Sequence, residues 1–501
     1  MKKFKLSVII IMVGTLLSKV LGLAREVLLA QKYGTGYISD SFILSLNIPN
    51  VLICSFAGAI LTNYMPVLSQ IEKESKEKVK KFNGNLLNIS LFVSIIIIII
   101  FMIFSKSIVK LFAVGFDEKG LTYLINISRI TIFSMYFILA AHIFKGHLEY
   151  KGKFFGTALY GILMNIGMIL GIVFSSTEKY VILGYGVLAG YILSFLTLLI
   201  LSKKNGFKTE FNIDIRDQYI KKIAILTLPM ILNDAVWQIN GIVDKSIAST
   251  VGAGYISAIN YAHYIVDMVS SVFATSVVTV FFPNVVKTFT MHGIEVVKEK
   301  TRTILKTIIL ITIPCTILIA FFAKTIVKVL FFRGAFNEES LSITYVAVAI
   351  YSIALIFVCL KTILFKVFYA MQDTKTPTKS AIIAILCNII LTLLLVKPLG
   401  YIGIIVATII ASIISTILLF MMFKQKNGTL LNKEFLVNIF KIIVASIIML
   451  LIMILLNLFI KNIFIYNELL SEIIQVAIIG IISIISYIVS LYVMKYNFKL
   501  K

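Results

Sequence analysis

Long apolar runs recur along this chain of 501 residues, from near its first residue to near its last. Segments such as 85–105 and 435–459 are about 20 predominantly apolar residues long, the length that crosses a bilayer core as a helix. The chain is 59% hydrophobic and only 14% charged, and no polar stretch is long enough for a soluble catalytic domain. A membrane β-barrel would show short alternating segments instead. The sequence therefore predicts an all-α polytopic membrane protein.

The apolar runs divide into about 14 predicted transmembrane helices, at 6–31, 38–66, 85–105, 121–144, 154–175, 180–201, 223–246, 253–283, 304–323, 341–369, 378–396, 401–423, 435–459 and 471–494. The net charge is +24, and the lysines and arginines concentrate at the termini and in alternate loops. This distribution follows the positive-inside rule, whereas a nucleic-acid site would gather the charge on one surface. We expect a multi-pass protein of the bacterial inner (plasma) membrane, with both termini cytoplasmic and no nucleic-acid partner.

The chain contains a tandem duplication that covers most of its length. Three short motifs occur twice in the same order: 34–39 returns at 252–257, 62–67 at 279–284 and 204–206 at 426–428. Six predicted spans separate the copies, and this even number gives both copies the same orientation in the membrane. We expect two six-helix lobes related by a pseudo-two-fold axis along the membrane normal. The predicted division is an N-lobe at 1–205, a cytoplasmic linker at 206–222, a C-lobe at 223–428, and two additional spans within 429–501.

Ionisable residues lie inside several predicted spans, where they are costly and usually face a cavity or a charged partner. Those of the first half are Lys19, Arg25, Glu26, Asp40 and Arg129. Lys19 and Glu26 are seven residues apart and share a helix face, so the first helix presents a cationic stripe with one acid. Two interpretations stay open: an internal salt bridge, for instance between Arg25 and Asp40, or a site for an anionic substrate.

The second half places Asp234, Asp244, His263, Asp267 and Lys361 inside spans. His263 and Asp267 are four residues apart and face the same side, which suits either a satisfied polar pair or a pH-dependent site. Asp234, Asp244 and Asn388 are candidates for a cation site, and hydrogen bonding between neighbouring helices is the alternative for such buried amides. No other metal site is predicted.

Signatures of catalysis do not occur in the sequence. It has no P-loop, its four histidines show no zinc spacing, and its four cysteines lie singly in apolar spans. The chain is therefore not predicted to be an enzyme or to need a cofactor. Energy for transport would come from Na⁺ or H⁺, from the membrane potential, or from the substrate gradient.

A set of short motifs runs along the chain at 17–26 (LSKVLGLARE), 33–36 (YGTG) with Asp40-Ser41-Phe42, Ile48-Pro49-Asn50, 332–336 (FRGAF) and 368–377 (FYAMQDTKTP). These motifs resemble the MurJ (MviN) family of lipid II flippases, within the multidrug/oligosaccharidyl-lipid/polysaccharide exporter superfamily. The resemblance covers nearly the whole chain. It implies a two-lobe fold with a cationic cavity that grips the diphosphate and sugar of an undecaprenyl-linked precursor. Arg25 and Asp40 match the family, and Lys19 and Glu26 stand where it usually has arginine and aspartate.

Two departures from the family pattern concern its other arginines. Ile53 and Cys54 stand where the family carries an arginine, and His263-Tyr264 stands where it has an Asp-Arg pair. Two interpretations stay open: Arg129 and Lys361 supply the missing charge, with Tyr264 stacking on a sugar ring and His263 making binding pH-dependent, or the cargo is not lipid II.

The resemblance thus implies a flippase that moves lipid II from the inner to the outer leaflet by alternating access. The alternatives are an exporter of another lipid-linked polysaccharide precursor, a cation-coupled drug antiporter, and a non-transporting cell-wall scaffold. The cationic first helix disfavours cationic drugs, because like charges repel in a low-dielectric cavity. The expected partners are an undecaprenyl-linked glycan lipid, membrane lipids and cell-wall synthesis proteins, and the expected state is a monomer.

Overall fold

The computed structural model describes residues 2–460 and 468–497, and their side chains except at 2–9, 54–55, 229, 232–237, 274–284, 286–288, 290, 292, 460 and 468–469. All the regular structure in these residues is helical. The helices are α1 (Lys2–Tyr33), α2 (Tyr37–Glu74), α3 (Lys76–Phe112), α4 (Glu118–Thr131), α5 (Ser134–Tyr150), α6 (Phe154–Phe174), α7 (Ile182–Lys204), α8 (Gln218–Val251), α9 (Tyr255–Phe321), α10 (Ala323–Phe331), α11 (Glu338–Tyr351), α12 (Ala354–Ala370), α13 (Lys375–Leu399), α14 (Tyr401–Asn427), α15 (Lys433–Ile460) and α16 (Glu468–Val493).

These helices confirm the predicted fold class. Within the described residues, eight helices are long and apolar enough to cross a membrane alone, and three bent pairs raise the number to 11. Two of these pairs are α4 with α5, bent by 40°, and α11 with α12, bent by 43°. The other three predicted spans coincide with α1, with α8 and with the part of α9 before Gly293, whose φ of 74° interrupts that helix. The short α10 was not predicted as a separate helix.

The contacts within the chain divide it into two compact units. Unit 1 holds residues 1–257 and 333–336, and unit 2 holds 258–332 and 337–501. The helix α8 thus belongs to unit 1, although the duplication places it in the second copy. The lobe boundaries at 205 and 223 rest on the repeated motifs alone and stay a prediction.

Glycines bring α6 and α7 of unit 1 into backbone contact. A Cβ on Gly171 would lie 2.6 Å from the Cα of Gly186, and a Cβ on Gly167 would lie 2.3 Å from the Cα of Gly190. Glycines four residues apart on each helix leave room for the other backbone, the arrangement that membrane helices use because lipid supplies no hydrophobic force between them. The two helices therefore form a rigid wall of unit 1.

Three asparagines of α3 bind the segment that precedes α8, which we call the strap (206–217). The side-chain amides of Asn83, Asn85 and Asn88 donate to the backbone carbonyls of Lys208, Asp214 and Asn212, at 3.3, 2.8 and 3.0 Å. A Cβ on Gly84 would overlap the carbonyl of Glu210, so this glycine admits the strap. Asp217 then caps α8 by accepting the N–H groups of Tyr219 and Ile220, at 2.8 and 3.1 Å.

In unit 2, an ion pair outside the predicted spans joins the loop after α12 to the last turn of α14. The Lys426 ammonium lies 2.6 Å from a carboxylate oxygen of Asp373. Asp373 also accepts the N–H and hydroxyl of Thr376, at 3.0 and 2.7 Å. Partial burial raises the pKa of Asp373, but Lys426 and Thr376 outweigh it and bring that pKa down to about 2. The carboxylate therefore stays charged throughout the physiological range.

Candidate functional site

The charged residues of α1 meet α6 at a cluster in unit 1. The guanidinium of Arg25 donates to Glu26 Oε1 at 2.5 Å, to Asn165 Oδ1 at 3.1 Å and to Met168 Sδ at 3.3 Å. The side chain of Arg25 is 12% exposed and that of Glu26 is 3% exposed. An ion pair this far from water is stable only when each charge has its partner in place. Arg25 thus pairs with Glu26, whereas the carboxylate of Asp40 accepts backbone N–H groups of Gly254 and Ser257.

Asn165 fixes this cluster by binding both α1 and its own helix. Its amide nitrogen donates to the carbonyl oxygens of Gly161 and Ser18, at 2.8 and 3.2 Å, while its oxygen accepts from Arg25. Because Ser18 and Arg25 are seven residues apart, one side chain can reach both of them. Lys19 is half-buried beside Ser18. The sequence reasoning missed Asn165, because a lone amide in an apolar span reads as ordinary helix packing.

A second cation reaches the cluster from α8. Lys245 is half-buried and interacts electrostatically with Asp244 and with Glu26. The sequence reasoning passed over Lys245, although a signal was present. Adding the motif offset of 218 to Glu26 gives Asp244, and the lysine is its neighbour. Each copy therefore opens with a helix that carries one acid beside one base.

The carboxylate of Asp40 is a cap for the N-terminus of α9. It is fully buried, and its two oxygens accept the backbone N–H groups of Gly254 and Ser257, at 2.6 and 2.7 Å. Backbone N–H groups in the first turn of a helix have no partner within that helix, and a carboxylate both bonds them and suits the helix dipole. The structure gives Asp40 a structural role, whereas its predicted role in substrate binding stays a prediction.

Two loops make contacts at the same end of unit 1 as the N-terminus of α2. The N–H of Gly115 donates to Ser249 Oγ at 2.9 Å, and the N–H of Ala335 donates to the carbonyl of Gln31 at 2.7 Å. Gly115 and Ala335 hold equivalent places in the two copies, and so do Gln31 and Ser249. The loop of each copy thus binds the end of the other copy's first helix, an exchange that closes this end of the unit.

The remaining predicted site residues have contacts of other kinds. The guanidinium of Arg129 is exposed and donates to Ser105 Oγ from two nitrogens, at 3.0 and 3.1 Å. In unit 2, the exposed ring of His263 packs against Tyr351 with centroids 5.3 Å apart, and Tyr264 and Lys361 are half-buried. These contacts do not test whether any of the four binds substrate.

The candidate cation site is not assembled within either unit. Asp244 lies 3.4 Å from the amide nitrogen of Asn240 in unit 1, whereas buried Asn388 donates to Thr408 Oγ1 at 3.2 Å in unit 2. The side chain of Asp234, like that of Cys54, lies outside the described residues. Among the side chains that are described, no three carboxylate, imidazole or thiol groups are placed to hold a metal ion.

Comparison with known proteins decides the family. The family model for lipid II flippase MurJ matches residues 29–475. The chain belongs to the MurJ family. A probable lipid II flippase MurJ of Rickettsia prowazekii is 27% identical over 79% of each chain, and one of Haemophilus influenzae is 28% identical over 81% of this chain and 83% of its own. The resemblance stated from the sequence motifs is therefore confirmed.

Solved structures agree with the family. A lipid II flippase MurJ in an inward closed conformation has a TM-score of 0.81 at 27% identity, covering 95% of this chain and 98% of its own. An inward-facing multidrug resistance MATE transporter of the MOP superfamily has a TM-score of 0.72 at 16% identity, over 82% of this chain and 95% of its own. The second likeness shows the fold alone. Membership of the MurJ family makes the chain a transporter rather than an enzyme, in the bacterial inner membrane.

Proposed function

We propose that this protein flips lipid II, an undecaprenyl-diphosphate-linked peptidoglycan precursor, from the inner to the outer leaflet by alternating access. Family membership supports the class of cargo. The observation that carries the proposal is the cluster of α1: a nearly buried guanidinium, Arg25, held by Glu26 and Asn165 with Lys245 close to the same acid.

Arg25 suits a diphosphate for geometric and electrostatic reasons. A guanidinium presents paired N–H donors that match two phosphate oxygens, and such charge-assisted bonds are among the strongest in proteins. In the described state Glu26 takes one of these donor positions. The diphosphate would replace Glu26 there, and Lys245 and Lys19 would add positive charge around it.

Glu26 then has a defined task in the transport cycle. Without cargo it neutralises Arg25, because an unpaired charge in a buried site would destabilise the protein strongly. With cargo, the diphosphate takes over that neutralisation and Glu26 turns to Lys245. The site therefore stays close to electrically balanced in both conditions, which lets the protein return empty.

The remaining parts of the proposal concern orientation, energy and partners. Both termini face the cytoplasm, as the distribution of lysine and arginine favours. The coupling ion is Na⁺ or H⁺, or the membrane potential acts on the cationic cluster directly. The protein works as a monomer beside cell-wall synthesis proteins, and Arg129, Lys361, His263 and Tyr264 assist when the sugar head is bound.

Another lipid-linked glycan is the second candidate cargo. Ile53 and Cys54 stand where the family resemblance places an arginine, and His263-Tyr264 stands in place of an Asp-Arg pair, so positive charge is lost at two positions. A cargo with a less anionic head, or with a sugar that stacks on Tyr264, would fit this change. We place lipid II first because Lys245 supplies a second cation that interacts with Glu26, the partner of Arg25.

The test is rescue of bacteria depleted of their own lipid II flippase. We expect the wild-type chain to restore growth, Arg25→Ala to abolish rescue, and Arg25→Lys to rescue partly because lysine lacks the paired donors. Arg216→Ala is the matched control, since Arg216 is exposed on the strap. Rescue by Arg25→Ala at equal membrane levels would refute the cationic-site mechanism. Failure of the wild-type chain, correctly inserted, would move the assignment to another glycan lipid.

A further inference from the structure

An apolar groove lies on the surface of unit 1, between α2, α3 and α8. Its volume is about 390 Å³, within the roughly 300–1,000 Å³ range of small-molecule pockets. The side chains that line it are apolar except Ser90 and Thr227, and they include Leu86, Ile89, Ile223, Ile225 and Leu228. The groove therefore offers dispersion contacts along its length and few hydrogen bonds.

The groove is open sideways, toward the surroundings of the helices. Ile225 is 71% exposed and Leu228 is 58% exposed, while Ile223 on the inner side is 4% exposed. The helices α2, α3 and α8 coincide with predicted spans, and the exposed side chains at the open side are apolar, as contact with lipid hydrocarbon requires. A flexible chain that entered sideways would be buried on three sides by α2, α3 and α8.

Basic side chains stand at one end of the groove. Exposed Lys221 precedes Ile225 by four residues on α8, and exposed Lys81 precedes Ile89 by eight residues on α3. Residues spaced by four lie above one another on a helix, so Lys221 lies one turn from Ile225, and Lys81 lies about two turns from Ile89 at the same end of the groove. The nearby acid Glu74 is neutralised by Lys78 at 2.8 Å. Asp217, four residues before Lys221, already accepts the N–H groups of Tyr219 and Ile220 as the cap of α8. The mouth thus carries two exposed lysines, whereas the groove is apolar.

The strap adds a second, independent sign of lipid contact at this mouth. Phe211, Ile213 and Ile215 alternate with residues that bind α3, and they are 84%, 53% and 70% exposed. The strap ends where α8 begins, and Asn85 and Asn88 lie beside the groove residues Leu86 and Ile89. Exposed apolar side chains flanked by basic residues insert at the boundary between headgroups and acyl chains.

We propose that this groove binds one anionic glycerophospholipid, with an acyl chain between α2, α3 and α8 and its phosphate beside Lys221 and Lys81. Apolar lining fits the acyl chain, and the lysines fit the phosphate by charge. The lipid would brace the strap, the segment that connects the two copies, against α3 and α8. Neither the site nor its test depends on the transported cargo.

Tryptophan quenching by brominated lipid tests this proposal directly. The chain has one tryptophan, Trp237, so a Trp237→Phe background permits a single reporter. Leu228→Trp places that reporter in the groove. Ile200→Trp is the matched control, because Ile200 is 53% exposed on α7 and lies near Lys203 and Lys204 but outside the groove. Both proteins are reconstituted in vesicles containing dibrominated phosphatidylglycerol or dibrominated phosphatidylcholine.

At Leu228→Trp we expect phosphatidylglycerol to be preferred by roughly five-fold or more, since one lysine near an anionic lipid is worth about that factor. Lys221→Gln should reduce the preference by about the same factor, and Ile200→Trp should show a smaller preference. An equal preference at the two reporters would mean a general basic surface and would overturn the proposal. So would a preference at Leu228→Trp that survives Lys221→Gln combined with Lys81→Gln.

Discussion

The two copies of the repeat share their framework and differ in their charges. The helices α4 (118–131) and α5 (134–150) recur as α11 (338–351) and α12 (354–370), with every boundary shifted by the same offset. The N-cap also recurs: Asp117 accepts the N–H of Gly120, and Asn337 accepts that of Ser340. The duplication found in the short motifs therefore extends to individual hydrogen bonds, which shows that the two copies have kept the same framework.

The first helices of the two copies show how the charges diverged. In α1 the base precedes the acid (Arg25, Glu26), and in α8 the acid precedes the base (Asp244, Lys245). Asp40 caps the start of α9, whereas the equivalent position in the second copy is Ala258. The framework is thus symmetric while the ionisable groups are not. The diphosphate site proposed above accordingly centres on Arg25 of the first copy.

The largest expected effect is a difference in stability between variants of Glu26 and of its counterpart Asp244. Glu26→Ala should destabilise the protein by about 3–5 kcal/mol, because the nearly buried Arg25 loses its acid. Asp244→Ala should cost less, since Asp244 is half-buried. Thermal unfolding in detergent measures both. Equal losses would mean that the two acids play the same part and that the proposed asymmetry is wrong.

The next effect concerns the cap that only one copy has. Asp40→Asn keeps one acceptor oxygen and leaves a backbone N–H of α9 without its charged partner, so we expect a loss of about 2 kcal/mol, within the range for bonds to charged groups. The loss should appear without any cargo present. Unchanged thermal stability, together with impaired cargo binding, would instead assign Asp40 to the substrate site.

The contacts that join the last two helices also differ between the two copies. The pair α6–α7 meets mainly through glycine backbones, with one hydrogen bond from Ser194 Oγ to the carbonyl of Tyr160 at 3.0 Å. The pair α13–α14 has one such glycine, Gly403 against the carbonyl of Leu395, and hydrogen bonds of Asn388 with Thr408 and of Ser380 with Ser415, at 3.2 and 3.0 Å. Gly186→Ala should cost about 1–3 kcal/mol by overpacking. Asn388→Ala should cost roughly 1 kcal/mol, since hydrogen bonds between membrane helices are worth little more. Unfolding midpoints in the reverse order would contradict this account.

The sequence predicted the helices and their repetition well, because apolar length and repeated motifs are properties of short segments. It predicted less of the site, since the partners of Arg25 come from distant segments: Asn165 is 140 residues away. The pairing of Asp40 with Gly254 spans 214 residues and was equally hidden. Lys245 could have been found by aligning the two copies around Glu26. Contacts between helices, unlike helices themselves, have no local signal.

A smaller effect concerns the pH dependence of stability at Asp373, in a loop outside the predicted spans. The folded pKa of Asp373 is about 2, below its usual unfolded value near 3.9. Its contribution to stability is therefore complete above about pH 4 and is lost as the pH falls toward 2. Unfolding midpoints of the wild type should decline across this window, and those of Asp373→Asn should decline less. Parallel declines would show that Lys426 does not stabilise the loop through this carboxylate.

The smallest effect compares one loop position in the two copies. The turns after α5 and α12 carry the same hydrogen bonds at equivalent positions: Lys153 N–H to Leu148 and Asp373 N–H to Phe368, at 2.8 and 2.9 Å. Both need a left-handed residue, which is Gly152 (φ 68°) in one copy and Gln372 (φ 61°) in the other.

Only glycine adopts this conformation without a steric cost, and that cost is about 1 kcal/mol for other residues. Gln372→Gly removes the strain but makes the unfolded chain more flexible, so we expect a gain of at most about 0.5 kcal/mol. Gly152→Gln should lower the stability by about the same amount. No atom lies within 4 Å of the added Cβ, so the effect comes from the backbone conformation alone. Shifts of opposite sign in the unfolding midpoints of the two variants would establish that the turns are equivalent. A loss in Gln372→Gly would show that the glutamine side chain makes a contribution of its own, and that the second copy has adapted this turn as it adapted its charges.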